Sequence, residues 1–354
     1  NLPKTLLFFR SYSQWLGGAG IVIMSLIILI GPGRNAFRLY ASEFGEENLV
    51  GDVKATARIV FQVYLVLTIV GFGAFIAAGM GAFDAMLYVM STISTGGFSP
   101  YAQSAGYYSG TILHLLVVLF MISGAIGFPA YYLLRHEGFK QFFSDLQIRY
   151  LFVIIAVTTI IYFGAWGWRG KMLLPSLFHA TTAITTTGFS LVQPATWPKS
   201  IYLITIFLMI LGGSAGSTAG GIKIFRFIIV IRVVRWLVER ALLPEEAKIP
   251  VKYEGRVISN REVQQIFSFL ILYLFLIFLS VLFFVFAGYD ITNAFFECSS
   301  ALGTVGLSSG LTEASLPWLM KVVLIIDMWA GRLEILPVLV VFYPAVWIAK
   351  RSKT

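Results

Sequence analysis

STISTGGFS (residues 91–99), TAITTTGFS (182–190) and SALGTVGLS (300–308) are three versions of one small-residue turn. Aligned on Gly97, Gly188 and Gly306, each has threonine two residues before the glycine, a bulky apolar residue after it, and then serine. One T-x-G is a weak pattern, but three in register imply a repeated structural unit. Each turn follows an amphipathic stretch too short to span a bilayer. In a membrane protein, such a unit is most simply a pore-lining re-entrant loop.

A membrane is what the composition demands. The chain has 354 residues, 58% of them hydrophobic and 12% charged, with a mean hydropathy of +0.84. A soluble protein of this size could not hide that much apolar surface. Apolar stretches of spanning length fall at 15–30, 59–78, 112–134, 150–166, 201–238 (interrupted), 263–287 and 316–349. Backbone groups at membrane depth must be satisfied internally, so these stretches are helices and the fold class is all-α polytopic. A lone cysteine, Cys298, excludes an internal disulfide and a cysteine-only metal site.

The net charge of +9 is unevenly distributed. Lysine and arginine crowd 34–58, 135–149, 223–261 and 350–353, while 80–108 has none. Positive residues mark the cytoplasmic side, so the excess reads as topology rather than as nucleic-acid binding. By the same rule the three turns lie in the outer half of the cell membrane, with the basic loops inside.

The repeat reads as spanning helix, short helix, turn, spanning helix. Asp84, Pro175 and Asn293 each lie 13 residues before the aligned glycine and are the expected starts of the short helices. About a dozen residues make ~18 Å of helix, half a membrane. A second register follows the turns: Pro198 to Gly212, Pro317 to Gly331, Gly110 to Gly124, and Pro3 to Gly17 are all offsets of 14. The first span, with WLGGAG at 15–20, is therefore the second helix of a further repeat whose N-terminal part is missing. Its turn is expected seven to ten positions before Asn1. The expected division is 1–58, the second helix of that truncated repeat with a cytoplasmic linker; 59–148, the second repeat; 149–261, the third; and 262–354, the fourth.

These repeats, with STGGFS, TTTGFS, GTVGLS, GGSAGSTAGGIK (212–223) and GRLEILP (331–337), resemble the Trk/Ktr/HKT superfamily of cation transporters over essentially the whole chain. The Trk/Ktr branch is nearer than the plant HKT branch. The resemblance implies helix–pore loop–helix units around a central, potassium-channel-like pore. It also implies potassium uptake, with K⁺ as the transported ion and no organic cofactor. Backbone carbonyls can replace the water of a dehydrated potassium ion. The candidate donors are Thr95, Gly96 and Gly97; Thr186, Thr187 and Gly188; and Thr304, Val305 and Gly306. The alternative is that these glycines serve close helix packing. In the family, a serine at the first repeat's glycine position accompanies sodium permeability; the three visible positions are glycine, the potassium-selective pattern.

Residues 212–221 put Gly212, Gly213, Gly216, Gly220 and Gly221, with Ser214 and Ser217, in the middle of a membrane segment. Each interior glycine costs about 1 kcal/mol of helix stability relative to alanine, so the stretch should unwind. In Trk/Ktr proteins the corresponding loop lies below the filter, which implies a gate; a static packing site is the alternative. A phosphate-binding loop would need G-K-[ST] in succession, and Gly221-Ile222-Lys223-Ile224 breaks that order. Arg332 lies midway along 316–349 with no carboxylate at i±3 or i±4, so its partner is on another helix, in a wet cavity or in the pore. The family places this arginine beneath the filter, where it could brace the loop; a structural interhelical salt bridge is the bland reading.

Glu297, in the last short helix, could bond the filter backbone, attract cations or serve structure alone. Asp84 and Asn293 read as caps, and His114 and His179 as packed. Arg226, Arg232, Arg235 and Arg240 make a basic cytoplasmic extension, consistent with lipid contact. The resemblance adds a homodimer and a cytosolic, nucleotide-binding RCK-type regulatory ring as partners. Rival functions are a sodium-permeable or ion-coupled symporter of the same fold, a membrane-embedded enzyme and a non-transporting assembly subunit. The enzyme reading would need a clustered nucleophile, base or metal set, and none is visible.

Overall fold

The computed structural model describes residues 2–28, 53–244 and 249–343. The basic stretch 350–353 and most of 34–58 lie outside the described residues. The chain opens with helix α1 (Lys4–Ile28). A first unit follows: α2 (Val53–Ala77), the short α3 (Ala82–Ile93), α4 (Thr111–Ala125) and α5 (Phe128–Glu137). After α6 (Phe139–Phe142), a second unit has α7 (Leu146–Ala165), the short α8 (Leu173–Ile184), α9 (Lys199–Leu211) and α10 (Ile224–Ala241). A hairpin of β1 (Lys252–Tyr253) and β2 (Arg256–Val257) leads to a third, with α11 (Asn260–Phe286), the short α12 (Ile291–Leu302), α13 (Trp318–Leu333) and α14 (Ile335–Phe342).

The three short helices are each 12 residues long. The 14-residue register also holds: Gly110, Pro198 and Pro317 are N-caps of α4, α9 and α13, and Pro3 directly precedes α1. The short helices, however, begin two residues earlier than the sequence suggests. Gly81, Met172 and Asp290 are the caps, and Asp84, Pro175 and Asn293 sit inside the first turn. Asp290 does the capping, accepting from Thr292 N and Asn293 N, both at 3.1 Å. Proline is tolerated at Pro175 because the first four N–H groups of a helix have no intrahelical partner.

Among the described residues, three helices are long and apolar enough to cross a bilayer: 57–77 within α2, α7 and α11, each the first span of its unit. Ile69, Val157, Ile160, Phe275 and Phe278 on these helices stay exposed, as lipid-facing side chains do. The second spans are interrupted. The expected continuous helices at 112–134 and 316–349 are both broken: α4 and α5 meet at 95°, and α13 ends where Glu334 takes φ 63°.

The short helices order the assembly. Each packs between the two spans of its own unit and also against the second span of the preceding one: α3 on α1, α8 on α4, and α12 on α9. Repetition of that contact carries the chain around a common axis.

Candidate pore site

Each short helix ends in the same backbone motif. Thr95 N donates to Thr92 O and Gly96 N to Ser91 O; Thr186 N to Ala183 O and Thr187 N to Thr182 O; Thr304 N to Ala301 O and Val305 N to Ser300 O, all at 2.8–3.2 Å. These are Schellman bonds, which satisfy the last carbonyls of a helix and place one residue in the left-handed region. That residue is usually glycine. Here it is threonine, at φ 51°, 53° and 54° for Thr95, Thr186 and Thr304. A left-handed β-branched residue costs about 1–3 kcal/mol, and such strain gathers at functional sites. Two residues on, Gly97, Gly188 and Gly306 have φ 70°, 88° and 91°.

Neighbouring turns touch through these glycines. A Cβ placed on Gly97 would lie 1.8 Å from Thr187 O, and one on Gly188 would lie 1.9 Å from Val305 O. Gly306 has open space at the same point. At the other edge, Gln14 of α1 donates from Nε2 to Gly96 O at 2.8 Å and accepts from Phe98 N at 3.2 Å. The structure thus brings all nine sequence-derived turn residues together. It also adds Gln14, which no motif marks.

The segment 212–223 lies unwound and buried between α9 and α10, directly against the turns. A Cβ on Gly220 would lie 2.3 Å from Gly303 O and 2.2 Å from Thr304 Oγ1. Gly220 N donates to Thr186 Oγ1 at 2.7 Å, and Thr218 Oγ1 lies 2.9 Å from both Ile93 O and Gly124 O. The loop therefore meets the C-terminal end of every short helix. Much of its backbone is paired, as membrane depth requires. Ser214 N donates to Ala125 O, Thr218 N to Gly124 O and Ala215 N to Gln147 Oε1, while Phe128 N donates to Gly216 O. Gly212, Gly216 and Gly221 supply left-handed turns at φ 70–76°; Gly213 packs on Ala219, and the Ser217 hydroxyl donates to Ser214 O at 2.7 Å.

Arg332 reaches the loop from α13. Its Nη1 donates to Thr218 O and its Nη2 to Gly17 O, both at 2.9 Å. These two partners are carbonyls on two other elements. The bond to Gly17 also joins α13 to α1, which closes the circuit of second spans.

Sequence reasoning missed the charges at the downstream end of the loop. Arg226, expected in a basic cytoplasmic extension, is buried; it forms a two-pronged bridge to Glu334 at 2.9 and 3.1 Å and stacks on Phe269. Lys223 Nζ folds back to Ala219 O. Asp327 is also buried, accepting from Ser280 Oγ at 2.8 Å. Asp84, expected as a cap, instead accepts from Tyr101 OH at 2.7 Å and Tyr108 OH at 2.5 Å. That bond, with burial, pushes the Tyr101 hydroxyl up to about 12. A cavity of about 140 Å³ borders the loop and is lined by Gly127, Gln147, Ser214, Ala215 and Tyr253 among others. Among the described residues no His/Cys/Asp/Glu group could hold a metal ion.

A family model described as TrkH, cation transport protein, matches residues 1–164 and 169–348. The chain is 32% identical over 359 residues to the Trk system potassium uptake protein TrkH of Halomonas elongata, covering 98% of this chain and 74% of that protein. It is equally 32% identical, over 342 residues, to an uncharacterized cation transporter of Methanocaldococcus jannaschii, covering 96% and 70%. The crystal structure of the potassium transporter TrkH from Vibrio parahaemolyticus superposes with a TM-score of 0.85 at 28% identity, covering 98% of this chain and 74% of that one.

Proposed function

The chain belongs to the TrkH family of cation transport proteins, and from that premise we propose that it takes up potassium through a carbonyl-lined filter with a loop gate beneath it. Like its relatives it is a membrane-embedded transporter, not an enzyme. The observation that carries the reading is the packing of glycine on carbonyl from one turn to the next, which sets equivalent backbone carbonyls of three units side by side. Carbonyls of residues 95–97, 186–188 and 304–306 would take the place of the ion's water. The C-terminal ends of three short helices add partial negative charge that favours a cation. The Gly96 carbonyl has a second lone pair free for an ion beside its bond to Gln14.

The gate is the loop of residues 212–221 with Arg332. It lies across the inner ends of the turns, and several of its holding bonds, from Ala125, Gly124, Phe128 and Arg332, come from other units. The turns face outside and the basic loops face the cytoplasm. The units at 59–148, 149–261 and 262–354, with the second helix of the first repeat in 1–58, act as quarters of the pore. A homodimer docked on a cytosolic RCK-type ring completes the system, a reading that rests on the family resemblance.

Flux in proteoliposomes made with the full-length protein tests this, comparing K⁺, Rb⁺ and Na⁺. Potassium and rubidium are expected to pass in preference to sodium. Gly188→Ala, which drives a methyl into Val305 O, should abolish selective flux. Gly79→Ala, outside the turns and with open space beside it, should cost only the strain of its left-handed backbone, about 1 kcal/mol or a little more. Equal permeation of Na⁺ and K⁺ by the wild type defeats the selectivity claim.

A further inference from the structure

The turns are held at one end by the Schellman bonds of their own helices. Beyond the glycines, residues 98–103, 189–193 and 307–312 are irregular backbone with no helix to hold them. Something else must fix that end if the carbonyls between are to keep their spacing. One position of the repeat does so. Tyr88, His179 and Glu297 each lie nine residues before the aligned glycine, in the middle of a short helix, and all are buried.

Each reaches to the chain leaving its own turn. Tyr88 OH donates to Ser104 O at 2.9 Å and lies 2.9 Å from Ser99 Oγ. His179 Nε2 accepts from Val192 N at 3.3 Å. Glu297 Oε1 accepts from Ser308 Oγ at 2.7 Å, Ser309 N at 2.8 Å and Ser309 Oγ at 2.9 Å, and its Oε2 accepts from Thr312 Oγ1 at 2.7 Å. Ser104 then links two units, since its Oγ accepts from Ser190 N at 3.1 Å.

We propose that Tyr88, His179 and Glu297 are positioning residues for the filter, repeat-equivalent struts that fix the far end of each turn and so set the spacing of its carbonyls. The inference rests on the filter reading above. The same position carries a phenol, an imidazole and a carboxylate, so what is shared is the hydrogen bond across the turn, not a charge. The three struts differ in strength. Glu297 makes four charge-assisted bonds, each stronger than a neutral one. Tyr88 has two neutral bonds and His179 a single long one. Because all three are buried behind the backbone, they act on the ion only through the carbonyls. Loosening a strut widens the ring, and a wider ring is one that discriminates less between K⁺ and Na⁺.

The test uses the full-length protein in proteoliposomes, reading Rb⁺ uptake in competition with Na⁺, with thermal stability and dimer mass measured alongside. Glu297→Ala should lower the preference for Rb⁺ by about tenfold or more, the loss expected from about 1.4 kcal/mol of positioning. Glu297→Gln keeps an oxygen for Ser308 and Ser309 and a polar partner for Thr312, so it should stay within about twofold of wild type. Tyr88→Phe removes one oxygen atom and should cost about threefold, with maximal flux less affected than preference. If Glu297→Gln falls as far as Glu297→Ala, the carboxylate acts by its charge on the ion and the strut is overturned. Where Glu297→Ala fails to fold, Tyr88→Phe decides, and unchanged preference in that variant overturns the inference. A wild type with no preference for Rb⁺ over Na⁺ overturns the filter reading itself, a result distinct from any difference between variants.

Discussion

The break between α4 and α5 and the break between α9 and α10 begin within two register positions of each other: α4 runs through Gly124 to Ala125, while α9 stops at Leu211, just before the equivalent Gly212. The first leaves only residues 126–127 outside a helix; the second leaves 212–223. They are nonetheless one structure. Carbonyls freed at the end of α4, Gly124 O and Ala125 O, accept from Thr218 N and Ser214 N of the long loop, and Phe128 N at the start of α5 donates to Gly216 O. A broken helix in a membrane needs partners for its exposed backbone, and here one break supplies them to the other. The comparison teaches that the long loop is not merely a relaxed stretch of glycine. It is a plug shaped to a neighbouring break, held from α7 by Gln147 and from α13 by Arg332.

The largest effect should separate the two breaks. Gly212→Ala combines a left-handed φ of 73° with a Cβ 2.0 Å from Gly220 O, an overlap that moving a side chain cannot relieve. A loss upwards of about 3 kcal/mol is expected, seen as a fall in thermal stability and in the yield of monodisperse protein. Gly127→Ala, on the short break, puts its methyl 2.5 Å from Ala215 O with an ordinary φ of −58°, so it should be milder. Equal damage from both would mean that the loop's backbone is not the more constrained of the two.

Arg332→Ala comes next. It removes two bonds donated by a guanidinium, to Thr218 O and to Gly17 O, each of a kind worth about 1.5–3 kcal/mol. If the loop is a gate, flux should rise by about tenfold while assembly persists, since an opening eased by 1.4 kcal/mol is that large. Loss of assembly with no gain in flux would make the arginine a structural tie between α13 and α1.

Much of this was legible in residue order, and what was not has a physical reason. The turns, the short helices, the 14-residue offset and the break at 212–221 all announce themselves through periodicity and glycine. Hydrogen bonds between distant segments leave no such mark. The α4–α5 break shows in sequence only as Gly124, Gly127 and Pro129, and its stability depends on a loop some ninety residues away. Asp84 and Asn293 looked like caps because a cap and a third helical position favour similar residues. Thr95, Thr186 and Thr304 gave no hint of left-handed backbone, since threonine disfavours it and only the packed end of each helix holds it there. Arg226 read as one of a basic series until Glu334, on the far side of another break, proved to be its partner.

The gentlest test addresses the side of the loop away from Arg332. Gln147 follows the Asp145 cap of α7, and its Oε1 accepts from Ala215 N at 2.8 Å. Gln147→Ala leaves that N–H without a side-chain partner, which costs about 1–3 kcal/mol where no water can reach. Water can reach here, because the cavity of about 140 Å³ is lined by both Gln147 and Ala215 and is wide enough to hold several molecules. A water bonded to Ala215 N recovers most of the loss. Flux should therefore rise only about twofold, well below the gain from Arg332→Ala. The order of the two variants is the informative quantity. If Gln147→Ala opens the pore as far as Arg332→Ala does, the loop is held chiefly from α7, and the break that it plugs, rather than the arginine beneath the turns, sets the gate.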